Sequence, residues 1–305
     1  MSTLHQAVTD YLGIRRALGF KLERHGRLLP DLAGYLEQAG ATTLTIPLAL
    51  DWATSLEGHP DESAMRLSIA RGFARWLQTI DPATEVPPTD LLPRSRRRAD
   101  PYLYSETDFV ALMAATATLR FPLRAATYRT LIGLLASTGM RVGETIGLDR
   151  DDLDWAEGCL LVREAKFGAS RELPLHDSTL AAMRAYAEVR DTYWPKTSAF
   201  FVSTAGTRLL YANVRHTFRH LVRTAGLAPR GPRQPRIHDT RHSFAVATVT
   251  GFYRDEGVDV AARMPALSAY LGHAAPALTY WYLTATPELL ALAAARLERV
   301  GRWQR

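Results

Sequence analysis

At 305 residues the chain has room for one large domain or two ordinary ones. With 47% hydrophobic residues it can bury a proper core, and with 22% charged residues it need not be disordered. The net charge of +6 favours a polyanionic partner, because neutralising phosphates releases counterions, although a soluble basic protein with no such partner has the same balance. Cys159 is the single cysteine, so neither an intrachain disulfide nor a cysteine-based zinc cluster can form. Residues 1–13 lack a basic stretch followed by an apolar run, and no segment approaches the roughly 18 apolar residues of a membrane span. These features predict a cytoplasmic protein with no membrane association.

In chain order, Ala7, Val8, Tyr11, Leu12 and Leu18 recur at helical spacing. Leu28, Leu29, Leu32, Tyr35 and Leu36 predict a second helix ending at Gly40. Thr45 and Pro47 open a third through Trp52, and a fourth carries Met65, Ile69, Phe73, Trp76 and Leu77 on one side. On that fourth helix Arg71 and Arg75 share a face, with Arg66 nearby; the face is either solvated or held against DNA. Pro82, Pro87, Pro88 and Pro93 then break the periodicity, and Arg94, Arg96, Arg97 and Arg98 form a basic run. The expected organisation is a helical DNA-binding domain over 1–86, a basic linker over 87–102 and a second domain over 103–305. The linker is suited to lie along a phosphate backbone.

Helices return from Ser105, one of them spanning Ala125–Ser137. Cys159–Val162 and Glu172–Leu175 flank a turn containing Gly168 and predict a β-hairpin. Helices resume at Asp177 and are interrupted by a short apolar run, Phe200–Val202. The fold class is therefore mainly α with a small antiparallel sheet, in two domains.

Four segments carry polar residues suited to chemistry. An apolar helix runs into Thr138-Gly139, where glycine suits a left-handed stop, and Arg141 follows on the turn with Glu144 three positions on. A guanidinium there can hold an oxyanion, or simply pair with Glu144. Lys166 lies on the hairpin turn. His238, Arg241 and His242 fall within Ile237-His-Asp-Thr-Arg-His-Ser-Phe-Ala245. The two histidines, four apart, could seat a metal, but no further ligand stands at suitable spacing and none is expected. His273 follows a Leu-Gly pair, and Tyr282 lies nine residues beyond it within Tyr280-Trp281-Tyr282.

Taken singly each segment is ordinary; taken together they supply what phosphodiester cleavage needs without a metal or other cofactor. Arginines neutralise charge growing on the phosphoryl oxygens. A tyrosine hydroxyl attacks phosphorus and forms a phosphotyrosine. A lysine can protonate the departing oxygen, and a histidine can accept the tyrosine proton.

The order and wording of these segments resemble the tyrosine recombinase (phage integrase) family, from about Tyr102 to about Leu290. Its Thr-Gly-x-Arg-x-x-Glu signature matches Thr138 to Glu144, and its hairpin lysine, eight residues before a Pro-Leu pair, matches Lys166 before Pro174-Leu175. The His-x-x-Arg-His box matches His238 to His242, and Leu-Gly-His matches Leu271 to His273 with the nucleophile at Tyr282. Thr240 stands where the family commonly has leucine, and the stretch Gly251–Gly257 lies in a lengthened connection. The resemblance implies Arg141, Lys166, His238, Arg241, His273 and Tyr282 as catalytic residues. It further implies double-stranded DNA recombination sites as the substrate and a homotetramer on DNA. Tyr280 is the rival nucleophile, disfavoured by spacing.

Seven arginines and no acidic residue lie between Arg208 and His238. Arg215, Arg219 and Arg223 repeat every four positions on one helix face, opposite Val214, Phe218, Leu221 and Val222, and are expected to face DNA. The apolar tail after Pro287 either docks on its own domain or, as the resemblance implies, on a neighbouring subunit. The rival functions are a type IB topoisomerase, a DNA-binding regulator that has lost catalysis and, least favoured, a metal-dependent nuclease.

Overall fold

The structure, a computed structural model, describes residues 3–55, 60–93, 101–163, 170–231, 234–273, 275, 277–284 and 286–302. The chain divides into two compact units, Met1–Ala99 and Asp100–Arg305.

The first unit consists of α1 (Leu4–Ala17), α2 (Glu23–Gln38), α3 (Ile46–Thr54) and α4 (Pro60–Leu77). Thr3 caps α1 by accepting the Gln6 amide, and Thr45 precedes α3 with proline in the first turn. Helix α2 starts a full turn before the expected Leu28, from Leu22 in a left-handed conformation, and runs through the exposed Pro30. The apolar stripes of the four helices meet in one core around Leu29, Leu32, Leu36, Trp52, Leu67 and Phe73. After α4 the chain stays on this unit: Val86 and Leu92 pack against its core, and the Glu85 amide donates to the Leu44 carbonyl. The basic run containing Arg96, Arg97 and Arg98 lies outside the described residues.

The second unit begins with α5 (Glu106–Ala115), opened by a Ser105–Asp108 capping box, followed by α6 (Pro122–Thr138) and α7 (Val142–Gly147). A three-stranded antiparallel sheet follows in the order β1 (Leu153–Asp154), β2 (Cys159–Val162) and β3 (Arg171–Pro174). Register pairs Leu160 with Leu173 and Val162 with Arg171, so β3 begins one residue earlier than expected and takes in Arg171. Helices α8 (Asp177–Tyr193), α9 (Tyr211–Thr224), α10 (Asp239–Arg254), α11 (Val260–Leu271), the one-turn α12 (Ala277–Tyr280) and α13 (Pro287–Arg302) complete it.

Helix α6 is the axis of the main core: Leu131, Ile132, Leu134 and Leu135 are buried with Met183 and Tyr186 of α8 and with Phe200 and Phe201. The apolar run Phe200–Val202 forms a single isolated bridge, Val202 to Arg208, and no strand. A separate smaller core joins α10, α11 and α13 through Val246, Val249, Met264, Leu267, Leu271 and Leu289. Within the single chain, α13 docks on α10. Leu289 is fully buried, and the Arg296 guanidinium caps the end of α10 by donating to the carbonyls of Phe252, Asp255 and Val258.

Candidate active site and nucleic-acid interface

Two glycine-terminated helices create the centre. Gly139 ends α6 and Gly272 ends α11, both with φ above +60°. Neither tolerates a side chain: a Cβ at Gly139 would lie 2.4 Å from the Phe244 ring, and one at Gly272 would lie 2.8 Å from the Arg171 guanidinium. The carbonyls of these two turns receive both sequence-predicted arginines. Arg241, buried on α10, donates Nη1 to Gly139 O at 2.8 Å and Nη2 to Leu271 O at 2.6 Å. Arg141 donates Nη2 to Gly272 O at 2.9 Å and Nη1 to Glu144 Oε1 at 2.6 Å.

The electrostatics follow from this crowding. Burial first, then the neighbouring Arg141 charge, lowers the Arg241 pKa to about 10, which still leaves it charged at neutral pH. Glu144 is mostly buried; desolvation works to raise its pKa, but hydrogen bonds and charge from Arg171, then Arg141, outweigh it and hold the carboxyl below its ordinary value. Each guanidinium has more N–H donors than these carbonyls and carboxylate oxygens use, so the pair can hold the oxygens of an added oxyanion.

The histidines and the tyrosine gather beside them. His238 is the N-cap residue of α10; burial of the ring on its protein side, then Arg241, lowers its pKa and favours the neutral form, although its outer edge remains open to solvent. Asp239, fully buried, pins this helix start by accepting from the Arg236 amide and side chain. The His238 ring meets His242 edge-on at 5.1 Å, and His242 lies 5.7 Å from the Tyr282 ring. The His273 ring lies 6.1 Å from that of Tyr282, nearly parallel to it, and its Nδ1 is 2.7 Å from Oγ1 of the buried Thr279. Tyr282 is 2% exposed and belongs to the smaller core, whereas Tyr280 is 45% exposed. Of the six residues singled out for chemistry, five therefore converge, and Lys166 lies outside the described residues. Among the described residues no group of three or more His, Cys, Asp or Glu side chains could hold a metal, and no helix is long and apolar enough to cross a membrane.

Sequence reasoning missed Arg171. It sits at the start of β3, donates two N–H groups to Glu144 and gives its Nε to Tyr270 O at 2.9 Å. An arginine on a short strand has no periodic signal, since its partners come from α7 and α11.

The basic faces divide sharply. On α9, Arg215, Arg219 and Arg223 are exposed, and among the described residues they make no hydrogen bond or ion pair, while Val214, Thr217, Phe218, Leu221 and Val222 are buried behind them. A hollow of about 270 Å³ lined by Tyr211, Arg215, Arg219, Arg236 and His238 joins this face to the catalytic-type residues. Other arginines of the same basic run are occupied internally: Arg208 by Asp149, Arg230 by Asp108 and Arg236 by Asp239. On α4 the expectation needs correcting. Arg66 is buried over the Trp52 ring at 4.2 Å, and Arg71 donates to the Pro87 and Pro88 carbonyls, both at 2.7 Å, leaving Arg75 exposed. Exposed Arg16, Lys21, Arg24 and Arg27 cluster around the α1–α2 turn, which the sequence reading passed over.

Comparison with known proteins finds the phage integrase family over residues 104–288. A putative integrase/recombinase of Sinorhizobium fredii is 42% identical over all of this chain and 99% of its own length. A tyrosine recombinase XerC of Alcanivorax borkumensis is 27% identical over 92% of this chain and 89% of its own. Among solved structures, the Tn1549 transposon integrase in complex with transposon right-end DNA superposes with a TM-score of 0.69, covering 98% of this chain and all of that one at 16% identity.

Proposed function

The chain belongs to the phage integrase family of tyrosine recombinases, and from that premise we propose that it cleaves and rejoins DNA strands through a covalent 3′-phosphotyrosine at Tyr282. The observation that carries the proposal is the placing of the Tyr282 ring beside both His242 and His273, within Coulombic reach of Arg241. Arg141 and Arg241 take the non-bridging oxygens of the scissile phosphate and oppose the charge that builds as phosphorus becomes five-coordinate. The Tyr282 hydroxyl attacks phosphorus, and neutral His238, with His273 also near the ring, supplies the base for its proton. Lys166 protonates the departing 5′ oxygen. Reversal with a partner strand's 5′ hydroxyl restores the diester, so the phosphoester bond energy is conserved and neither metal nor other cofactor enters.

The DNA contacts in this reading are Arg215, Arg219 and Arg223 on α9, Arg75 on α4, and Arg96, Arg97 and Arg98 of the basic run. Arg71 takes a different role, tying down the Pro87–Pro88 segment with two of its N–H donors. Residues 1–86 act as the DNA-binding domain, 87–102 as a linker whose first part packs on that domain, and 103–305 as the catalytic domain. The active assembly is a homotetramer on paired double-stranded sites, serving the integration or excision of a mobile element in the cytoplasm. The 42% likeness to a putative integrase/recombinase accords with that role.

The test is a suicide-substrate assay in EDTA, with nicked duplexes from the ends of the element that encodes the protein. A slow-migrating protein–DNA adduct is expected from the wild type and from Tyr280→Phe, and none from Tyr282→Phe. Tight binding with no adduct on any duplex would instead favour a DNA-binding regulator, and an adduct requiring added metal would remove the metal-free mechanism.

A further inference from the structure

Glu144 is contested by two arginines, and the geometry shows an uneven purpose. Its Oε1 accepts from Arg141 Nη1 at 2.6 Å and from Arg171 Nη1 at 3.2 Å; its Oε2 accepts from the Arg141 amide at 3.1 Å and from Arg171 Nη2 at 2.8 Å. Both Glu144 and Arg171 are largely shielded from water, their side chains 9% and 12% exposed, whereas Arg141 is 28% exposed. Arg171 is therefore the inner partner, and Arg141 the one that reaches outward.

A carboxylate paired with Arg141 alone would cancel the charge that an incoming phosphate requires. With Arg171 present, one negative charge is shared by two positive ones, and the trio keeps a net positive charge at its exposed end. In a poorly solvated site that difference is large, because Coulombic terms are weakly screened there. Arg171 also holds the turn on which His273 stands. Its Nε binds Tyr270 O, its guanidinium fills the space beside Gly272, and the Gly272 carbonyl is in turn held by Arg141.

We propose that Arg171 is a positioning residue for strand cleavage: by sharing Glu144 it keeps the Arg141 charge available to the scissile phosphate, and by bracing the Gly272 turn it sets the place of His273. Arg171 opens β3, five residues after Lys166 in the sequence, so it ties the β2–β3 pair to the two helix ends that seat the arginines. The proposal rests on the cleavage reading given above, and its test is arranged so that the two fail separately.

The experiment measures single-turnover adduct formation on the nicked duplex at saturating protein, together with DNA affinity and thermal melting of each variant. Arg171→Gln removes the charge while keeping most of the side chain. It is expected to slow cleavage ~100-fold, the scale of a misplaced catalytic group, with DNA affinity changed by no more than about threefold. Adding Glu144→Gln to that variant neutralises the unshared carboxylate and should recover roughly tenfold of the loss, and Arg171→Lys, which keeps the charge but lacks the fork, should retain at least about a tenth of the wild-type rate. A merely structural arginine gives neither recovery. Arg171→Gln cleaving at the wild-type rate, or a double variant no faster than the single one, overturns the proposal. If Arg171→Gln melts below the assay temperature, Arg171→Lys decides, and a rate at background overturns it. A wild-type protein that forms no adduct sinks the cleavage reading itself.

Discussion

Helices α4 and α9 both present arginines at four-residue spacing, Arg71 and Arg75 on one and Arg215, Arg219 and Arg223 on the other. On the sequence they look alike, and in the structure they do different work. On α4, Arg71 ties down the Pro87–Pro88 segment, and neighbouring Arg66 is a core residue stacked on Trp52. On α9 the three arginines stand exposed, and among the described residues nothing binds them, although the chain around them contains Asp149, Asp108 and Asp239, each already paired with another arginine. Periodicity places a side chain on a face; what that face meets is set by carboxylates and carbonyls far off in the chain.

The contrast can be broken by substitution, and the largest effect is expected at Arg66. Arg66→Ala removes a buried stem, a stacked guanidinium and an ion pair to Asp31, and should destabilise the first unit by about 2 kcal/mol. Denaturant melts read this directly, and an unchanged midpoint would return Arg66 to the solvated face. Arg71→Ala loses two charge-assisted hydrogen bonds at a partly exposed site and should cost about 1 kcal/mol. Its salt dependence of DNA binding should match wild type; a flattened slope would mean that Arg71 leaves its carbonyls for phosphate.

A third effect is confined to acid. The folded Glu144 pKa lies below its ordinary value, so the unfolded chain binds more protons between the two values and stability rises with pH across that window. The contribution is complete above the unfolded pKa of about 4.3 and disappears as pH falls through the folded value. Glu144→Gln should flatten the acid limb of the stability curve there and leave its slope above pH 6 unaltered; an acid limb identical to wild type would deny the pairing with Arg141 and Arg171. The smallest change in stability belongs to α9. Arg219→Ala should alter folding by less than about 0.5 kcal/mol while lowering the salt slope of DNA binding by about one unit. A full-strength slope would remove Arg219 from the phosphate contacts.

Much of the site was legible because short motifs fix local geometry. Gly139 stops α6 in the left-handed region and sets Arg141 on the following turn, as Thr138-Gly139 suggested. The preference for Tyr282 over Tyr280 rests on spacing; the structure adds that the Tyr282 ring is buried and the Tyr280 ring exposed. The partners of Arg171 were not legible: its carboxylate lies 27 residues away on α7 and its carbonyl acceptor 99 residues away on α11. The early start of α2 was hidden for a related reason, since a left-handed Leu22 and an internal Pro30 contradict local preference and are tolerated through packing of the helix on its neighbours.

The sequence by itself determined the helical class, the small hairpin, the core side of α9 and the residues that carry the family signature. Hydrophobic period, capping and turn chemistry act over a few residues and can be read along the chain. Tertiary structure alone decided which arginines are occupied and which are left open, because Arg230 finds Asp108 across 122 residues and Arg208 finds Asp149 across 59. A guanidinium takes whichever oxygen the fold brings within reach, and only the packed chain sets that distance.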